Sequence, residues 1–297
     1  VFSTATQGVN DYGMQFKERC PLPFLEEVSN TVVALKHLGD FGEAIRKFKE
    51  GRFNQDHTPK PLGSREKDLL ISGMVLNEWE SYQVVAGFGL PLAKSTLVTC
   101  LQEVARTADD IGYPVAVKLV APGMTHKTEL GAVRVNLKSS KEANLAAKEM
   151  ESLFRKASPC GAVEGFLVQE MVGGGVETII GAVNDPQYGP AVMFGLGGEF
   201  VEVYQDVLFR IAPVSRKEAL EMIQSIKGFP LLSGFRGRPP LDLETLAGAI
   251  VSVSELMVSG KEWIQSIDVN PFISLERGGK AVDAVIVTRQ KKTEGSS

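Results

Sequence analysis

The sequence predicts an α+β protein, in which helices and strands mix along most of the chain without strict βαβ alternation. Short apolar runs such as YPVAVKLV at residues 113–120 are typical of buried strands. Ser-x-x-Glu pairs that begin at Ser139 and Ser215 are typical helix N-terminal caps. No hydrophobic pattern recurs at a fixed period, so a solenoid or propeller is not expected.

The remaining elements follow from apolar spacing and turn residues. One helix is predicted over residues 76–87, with Trp79, Tyr82 and Ala86 on one face. Further helices are predicted to begin at the Thr99-x-x-Gln102 cap, at each of the two Ser-x-x-Glu caps and at Asp242. Strands are predicted at 113–120, 131–137, 163–171, 176–183, 190–195, 266–273 and 281–287. The resulting order of elements is that of α+β subdomains.

The first seventy residues differ in character from the rest. Val32, Val33, Leu35 and Leu38 have rough helical spacing. The polar stretch from Lys49 to Lys67 has no periodicity and is typical of a linker. We therefore place a domain boundary between residues 69 and 70, which divides the chain into 1–69 and 70–297.

Composition excludes several classes of protein. The chain has 297 residues, 43% of them hydrophobic and 23% charged, which is typical of a globular protein. Its formal net charge of −4 argues against a nucleic acid or an anionic membrane as partner. Three widely spaced cysteines predict neither a disulfide framework nor a metal cluster, and they favour the reducing cytosol. No apolar run approaches the roughly 20 residues of a membrane span, and the first residues do not resemble a signal peptide.

Two basic residues stand out near the apolar run at 113–120. Lys118 lies within it, and a buried ammonium group requires an anion, which is either a phosphate or an acidic side chain unless the lysine reaches solvent. His126 lies on the loop 121–131, bounded by Pro122 and glycines, where an imidazole is placed to act as a nucleophile. The alternative is an exposed loop histidine with no role.

Two glycine-rich segments follow. Glu170 and Glu177 flank three successive glycines, whose backbone N–H groups can approach an anion closely; the alternative is a simple hairpin turn. These glycines are Gly173, Gly174 and Gly175. Further along, Arg210 interrupts an apolar run, so it is either a phosphate ligand or the partner of a structural acid.

Oxygen-bearing side chains cluster near the carboxyl end. Asp268 and Asn270 are two residues apart, so on a strand they share one face, and Asp283 can meet them from a neighbouring strand. Oxygen ligands of this kind suit Mg²⁺, although each residue alone is equally typical of turns and caps.

Taken in order, these segments resemble the ATP-grasp domain of the ADP-forming acyl-CoA synthetases, relatives of succinyl-CoA synthetase. The resemblance covers roughly residues 70–290 and rests on Lys118, HKTELGAV at 126–133, the Glu170–Glu177 pair, the glycine-rich segment at 194–213, and DVNPF at 268–272. It implies an ATP-grasp fold of two α+β subdomains that hold ATP between them. Residues 1–60 resemble the tail of the CoA-ligase portion that precedes this domain in fused members.

The resemblance also implies roles for individual residues. Lys118 resembles the lysine that binds the nucleotide phosphates, Glu170 the acid near base and ribose, and Glu177 a second nucleotide contact. Asn270 and Asp283 resemble the Mg²⁺ ligands, with Asp268 adjacent. His126 resembles the histidine that carries the phosphoryl group, and Arg210 a partner of phosphate or phosphohistidine.

The implied function is the nucleotide-binding half of a synthetase that uses ATP or ADP and Mg²⁺ to interconvert acyl-CoA and its carboxylic acid. The implied partner is a CoA-ligase (alpha-type) portion, either a separate subunit or part of the same polypeptide, in a hetero- or homo-oligomer. Two alternatives are an ATP-grasp carboxylate–amine ligase, which needs no loop histidine, and a non-catalytic nucleotide- or acyl-CoA-sensing module, in which the relay histidine or metal ligands should be lost. The choice of acid and of ADP over GDP stays open.

Overall fold

The computed structural model divides the chain into two compact units, Val1–Thr58 and Pro59–Ser297. The structure describes residues 2–3, 14–15, 18–19, 25–26, 28–49, 59–71, 75–122, 131–158, 161–198, 206–234, 237 and 239–289. No helix in these ranges is long and apolar enough to cross a membrane.

The main element of the first unit is the long helix α1, Val28–Lys49. Two short strands, β1 (Phe2–Ser3) and β2 (Leu25–Glu26), pair in parallel in this unit. The helical spacing predicted around Leu35 is confirmed, yet the side chain of Leu35 is exposed, as are those of its apolar neighbours Val32, Val33 and Leu38.

The second unit contains the other elements. Its helices are α2 (Ser64–Ile71), α3 (Glu78–Gly87), α4 (Glu103–Ile111), α5 (Ser140–Ala157), α6 (Arg216–Ser225), α7 (Phe229–Ser233) and α8 (Leu243–Ser259). Its strands are β3 (Ser95–Val98), β4 (Val115–Val120), β5 (Val133–Leu137), β6 (Gly165–Glu170), β7 (Val176–Asp185), β8 (Gly189–Leu196), β9 (Val207–Ile211), β10 (Ile264–Ser274), β11 (Gly279–Ala281) and β12 (Ala284–Thr288).

The smaller sheet has four antiparallel strands in the order β3-β6-β4-β5. All six residues of β4 are buried, which explains why its sequence is nearly uniformly apolar. Side chains alternate along a strand. Val115, Val117 and Leu119 join the core formed with α4 and α5, so Lys118 lies on the other face of the sheet.

The larger sheet has six strands in the order β11-β10-β7-β8-β9, with β12 also paired to β10. One face of this sheet forms the main core with α8, where Ile180 and Phe194 pack with Leu246 and Ile250. Asp268 lies opposite Gly181 in the register, one position from the core residue Ile267, and therefore belongs to the other face.

Two of the three predicted serine or threonine caps are confirmed. Ser139 and Ser215 accept hydrogen bonds from the backbone N–H groups three residues later. The cap predicted at Thr99 is wrong, because α4 begins at Glu103 and its N-cap residue Gln102 makes no side-chain cap bond. The preceding turn supplies the acceptors instead, with the carbonyl of Cys100 bonded to the N–H of Glu103.

Two other predicted elements are different in the structure. Residues 281–287 form two strands rather than one, because Val282 and Asp283 leave the ladder and bond across to Pro271 and Asn270. The end of the predicted linker is helical, since α2 runs from Ser64 to Ile71 and buries Leu70 in the main core.

We predict that Ile180→Val lowers the free energy of unfolding by about 0.5–1.5 kcal/mol, because it removes a methylene from a close-packed core. Ile211→Val on β9 of the same sheet is the matched control: Ile211 is 57% exposed, against 0% for Ile180. Urea denaturation measures both. Equal losses for the two variants would contradict the assignment of the buried face.

Candidate functional site

Lys118 forms a buried ion pair. Its Nζ lies 2.5 Å from Oε1 of Glu78, at the start of α3, and 2.8 Å from the carbonyl oxygen of Val282. The two side chains are 7% and 1% exposed. A buried charge is tolerated only when it is paired and hydrogen-bonded. Lys118 therefore connects the smaller sheet to α3 and to the segment between β11 and β12.

Tyr82 lies one turn after Glu78 on α3 and reinforces the same connection. Its hydroxyl donates to the carbonyl of Val282 and accepts a hydrogen bond of 2.7 Å from Nε2 of Gln169 on β6. Burial raises the pKa of Tyr82, and the charges of Glu78 and Asp283 raise it further. The phenol therefore stays protonated and remains a donor.

Glu170 ends β6 and joins the smaller sheet to β11. Its Oε1 accepts hydrogen bonds of 2.6 Å from the backbone N–H of Lys94 and from Nζ of Lys280. Partial burial pushes the pKa of Glu170 upward, but the bonds from Lys280 and Lys94 outweigh this effect and leave the pKa below its usual value. Glu170 is therefore a carboxylate at neutral pH.

The glycine run connects the two sheets. Glu170 belongs to the smaller sheet and β7 to the larger one, so the hairpin interpretation of residues 171–175 is wrong. Gly174 has φ +81°, which favours glycine. A Cβ on Gly175 would lie 2.4 Å from the carbonyl oxygen of Ser274. At both positions glycine is required by the backbone itself.

Glu177 lies near the start of β7 beside the second glycine-rich segment. Its carbonyl accepts a hydrogen bond of 2.8 Å from Gly197, and a Cβ on Gly198 would come within 2.9 Å of its carboxylate. Residues 199–205, which follow, are outside the described residues. The two glycine segments singled out in the sequence are thus neighbours in space.

The three candidate metal ligands lie at one place on the larger sheet. The N–H of Asn270 donates to the carbonyl of Asp283 at 3.2 Å. The protein around the carboxylate of Asp268 displaces water from it and so raises its pKa, even though part of the side chain is exposed. The negative charge of Asp283 raises this pKa further. A cation would relieve this crowding of negative charge.

The donor set fits Mg²⁺. The described residues include no group of three or more His, Cys, Asp or Glu side chains able to hold a metal. Mg²⁺ does not need such a group, because it usually takes one or two carboxylates and completes its shell with water and substrate phosphates. Two carboxylates and one amide oxygen provide this kind of site.

Two predicted residues are not joined to this group. Arg210 lies on the edge strand β9, opposite the core residue Val192, so its register places it on the other face of the sheet from Asp268. Its described hydrogen bond goes to the carbonyl of Phe209. His126, predicted to be the nucleophile, lies outside the described residues.

The sequence did not reveal Glu78, Tyr82 or Lys280 as members of the site. The run around Lys118 indicated that an anion was required, but nothing local selected Glu78 among the 36 acidic residues. Tyr82 was assigned to an apolar face with Ala86, whereas α3 buries Tyr82 together with Glu78 and exposes Ala86.

The chain is similar to known proteins over most of its length. A family model described as an ATP-grasp domain matches residues 71–288. The chain is 41% identical, over 226 residues, to the beta subunit of ADP-forming acetate–CoA ligase II from Pyrococcus furiosus, covering 75% of this chain and 96% of that protein. It is 42% identical over 259 residues to the ADP-forming 4-hydroxybutyrate–CoA ligase of Nitrosopumilus maritimus, covering 86% of this chain but 36% of that protein.

Solved structures agree with these matches. An acetyl-coenzyme A synthetase from Candidatus Korarchaeum cryptofilum, in complex with coenzyme A and Ca-AMPCP, has a TM-score of 0.71 at 40% identity, covering 75% of this chain and all of that one. A structure of the same synthetase with coenzyme A and Mg-AMPPCP has its phosphohistidine segment pointing towards the nucleotide-binding site. Its TM-score is 0.66 at 38% identity, and the match covers 75% of this chain and all of that one.

The chain therefore belongs to the ATP-grasp proteins and, within them, to the ADP-forming acyl-CoA synthetases. It corresponds to the nucleotide-binding, beta-subunit part of these ligases. The ATP-grasp fold of α+β subdomains predicted from the sequence is confirmed.

The ion pair of Glu170 predicts a pH-dependent stability. Because the pKa of Glu170 is lower in the native state than in the unfolded state, the ion pair stabilises the fold at pH values above the unfolded pKa of about 4.3. This contribution is lost as the pH falls through the native pKa. The stability gap between wild type and Glu170→Gln should therefore be widest near pH 7 and narrow towards pH 3 in urea titrations.

Glu276→Gln is the control for loss of one negative charge, because Glu276 is exposed in the turn before β11 and makes no hydrogen bond to the described residues. A gap for Glu170→Gln that stays constant from pH 7 to pH 3 would contradict the assignment.

Proposed function

We propose that the chain is the nucleotide-binding and phosphoryl-relaying half of an ADP-forming acyl-CoA synthetase. The full reaction is acyl-CoA + ADP + phosphate ⇌ carboxylate + CoA + ATP. The observation that carries the proposal is the convergence of Lys118, Glu170 and the Asn270–Asp283 pair where the two sheets meet. The 41% sequence identity between this chain and the beta subunit of such a ligase supports the proposal.

The nucleotide is held by groups from both sheets. Lys118 contributes a fixed positive charge for the phosphates, and the backbone N–H groups of Gly173, Gly174 and Gly175 are available to an anion. Glu170, at the connection between the sheets, receives the base and ribose, and Glu177 is a second contact. In phosphoryl transfer such groups act by positioning and by neutralising charge.

Mg²⁺ is bound by Asn270 and Asp283, with Asp268 adjacent. The backbone bond between Asn270 and Asp283 keeps their side chains on neighbouring segments. When bound, the ion neutralises the charge on the phosphate oxygens. The bent path of Val282 and Asp283, outside the strand ladder, is the structural feature that presents the carboxylate.

His126 is the phosphoryl carrier. In the direction of ATP use, its imidazole attacks the γ-phosphorus, a P–N bond forms, and the P–O bond to ADP breaks. The reverse transfer regenerates ATP. Arg210 is proposed as a partner of the phosphate or phosphohistidine at a point away from the metal ligands, since it lies on the other face of the sheet from Asp268. The orientation of the phosphohistidine segment in the related synthetase supports the role of His126.

A CoA-ligase portion supplies the other half of the reaction, within a hetero- or homo-oligomer. The Pyrococcus relative is a beta subunit, which supports a separate partner, whereas the chain spans about a third of the Nitrosopumilus ligase, which supports a fused arrangement. We propose that residues 1–69 are the tail of such a portion, that 70–297 are the ATP-grasp domain, and that the protein works in the cytosol.

Incubation with γ-labelled ATP and Mg²⁺ tests the relay. We expect label that is stable to base and labile to acid, and that is lost in His126→Ala. His37→Ala, in α1, is the matched control and should keep the label. The experiment is run with and without the CoA-ligase portion of a relative. Equal labelling of wild type and His126→Ala would contradict the proposal.

The metal site predicts a changed Mg²⁺ requirement. In Asp283→Asn, the Mg²⁺ concentration that gives half-maximal labelling should rise roughly tenfold or more, since loss of even an outer-shell partner costs about 10–100-fold in affinity. Asp110→Asn, exposed on α4, is the control and should leave the requirement unchanged. An unchanged requirement in Asp283→Asn would exclude this residue as a ligand.

A further inference from the structure

The ion pair between Lys118 and Glu78 raises a question about how a buried lysine remains available to a ligand. An ammonium group has three N–H donors. Among the described residues, one donor is used by Glu78 and one by the carbonyl of Val282. Within the part of the chain that the structure describes, one donor is left for a third acceptor.

Glu78 controls the direction of this ammonium group. Its carboxylate lies 2.5 Å from Nζ of Lys118 and is the acceptor for one of the three donors. Lysine also has a flexible side chain whose three donors rotate together, so two fixed acceptors determine where the third donor points. Glu78 and Val282 are these two acceptors.

The position of Glu78 is itself fixed by the start of α3. Asn77 and Glu80 form a reciprocal capping box around the first turn. The backbone of Leu76 donates to Ile286 at 3.1 Å, and the hydroxyl of Ser81 accepts from Ile286 at 3.1 Å. These bonds hold the helix start against β12, which also fixes the distance from Glu78 to the Val282 carbonyl.

We propose that Glu78 is a positioning residue for nucleotide binding. It holds the ammonium group of Lys118 in place and directs the remaining N–H donor towards a phosphate of the bound nucleotide. The proposal rests on the proposed function, in which Lys118 binds the nucleotide phosphates. Because Glu78 acts through the lysine, we expect its effect to be confined to ligands that carry phosphate.

Equilibrium dialysis of the full chain with ADP–Mg²⁺ and with adenosine tests this inference. Glu78→Gln should weaken ADP binding at least about tenfold, which corresponds to about 1.4 kcal/mol, and should change adenosine binding less than about twofold. Glu78→Asp keeps the charge but retracts it by one methylene, and we expect an intermediate loss. Glu103→Gln, exposed at the start of α4, is the matched control and should bind both ligands as wild type does.

Three outcomes would overturn the inference, and they are distinguishable. If Lys118→Met loses ADP binding while Glu78→Gln keeps it, the proposed function stands and the role of Glu78 is wrong. If Glu78→Gln loses ADP and adenosine equally, Glu78 is only structural. If wild type binds no ADP, the proposed function fails as well. Should Glu78→Gln not fold, Glu78→Asp is judged by the same ratio of the two affinities.

Discussion

Burial of one ammonium group connects the parts of this site. Lys118 lies on a strand whose residues are all buried, and its charge must therefore be neutralised within the protein. The neutralising carboxylate comes from α3, and the second acceptor comes from the segment between β11 and β12. Three elements that are far apart in the chain are thus positioned relative to one another by the requirement of a single charge.

The same requirement shapes the larger sheet next to the candidate metal ligands. Val282 accepts hydrogen bonds from both Lys118 and Tyr82, and its own N–H donates to Pro271. A residue used in this way cannot continue the ladder between two strands, so the strand is interrupted there. The interruption presents Asp283 beside Asn270, and the proposed metal site therefore depends on the lysine site.

A second ion pair joins the two sheets at the glycine-rich connection. Here the charges are reversed, because Glu170 belongs to the smaller sheet and Lys280 to the larger one. Such pairs contribute little to stability when they are partly exposed, but they fix geometry. Together with the pair of Lys118 and Glu78, this pair joins the smaller sheet to the elements packed against it.

The sequence by itself determined the class of fold, most elements and the types of chemistry. Amphipathic spacing and serine caps specified α5 and α6, and the apolar run specified β4, because these signals depend on neighbours within a few residues. The order of the motifs also indicated the family. These features are local, or are an ordered series of local features.

Tertiary structure decided how the residues are paired. Only packing showed that Lys118 bonds Glu78, 40 positions away, and that Lys280 bonds Glu170, 110 positions away. Periodicity placed Tyr82 on an apolar face and gave no reason to bury Glu78, since a carboxylate is buried only when a partner from elsewhere neutralises it. Likewise, the break at Val282 depends on acceptors and donors from three other segments. Contacts between distant segments leave no signal in local spacing, which is why the folded chain was needed to assign them.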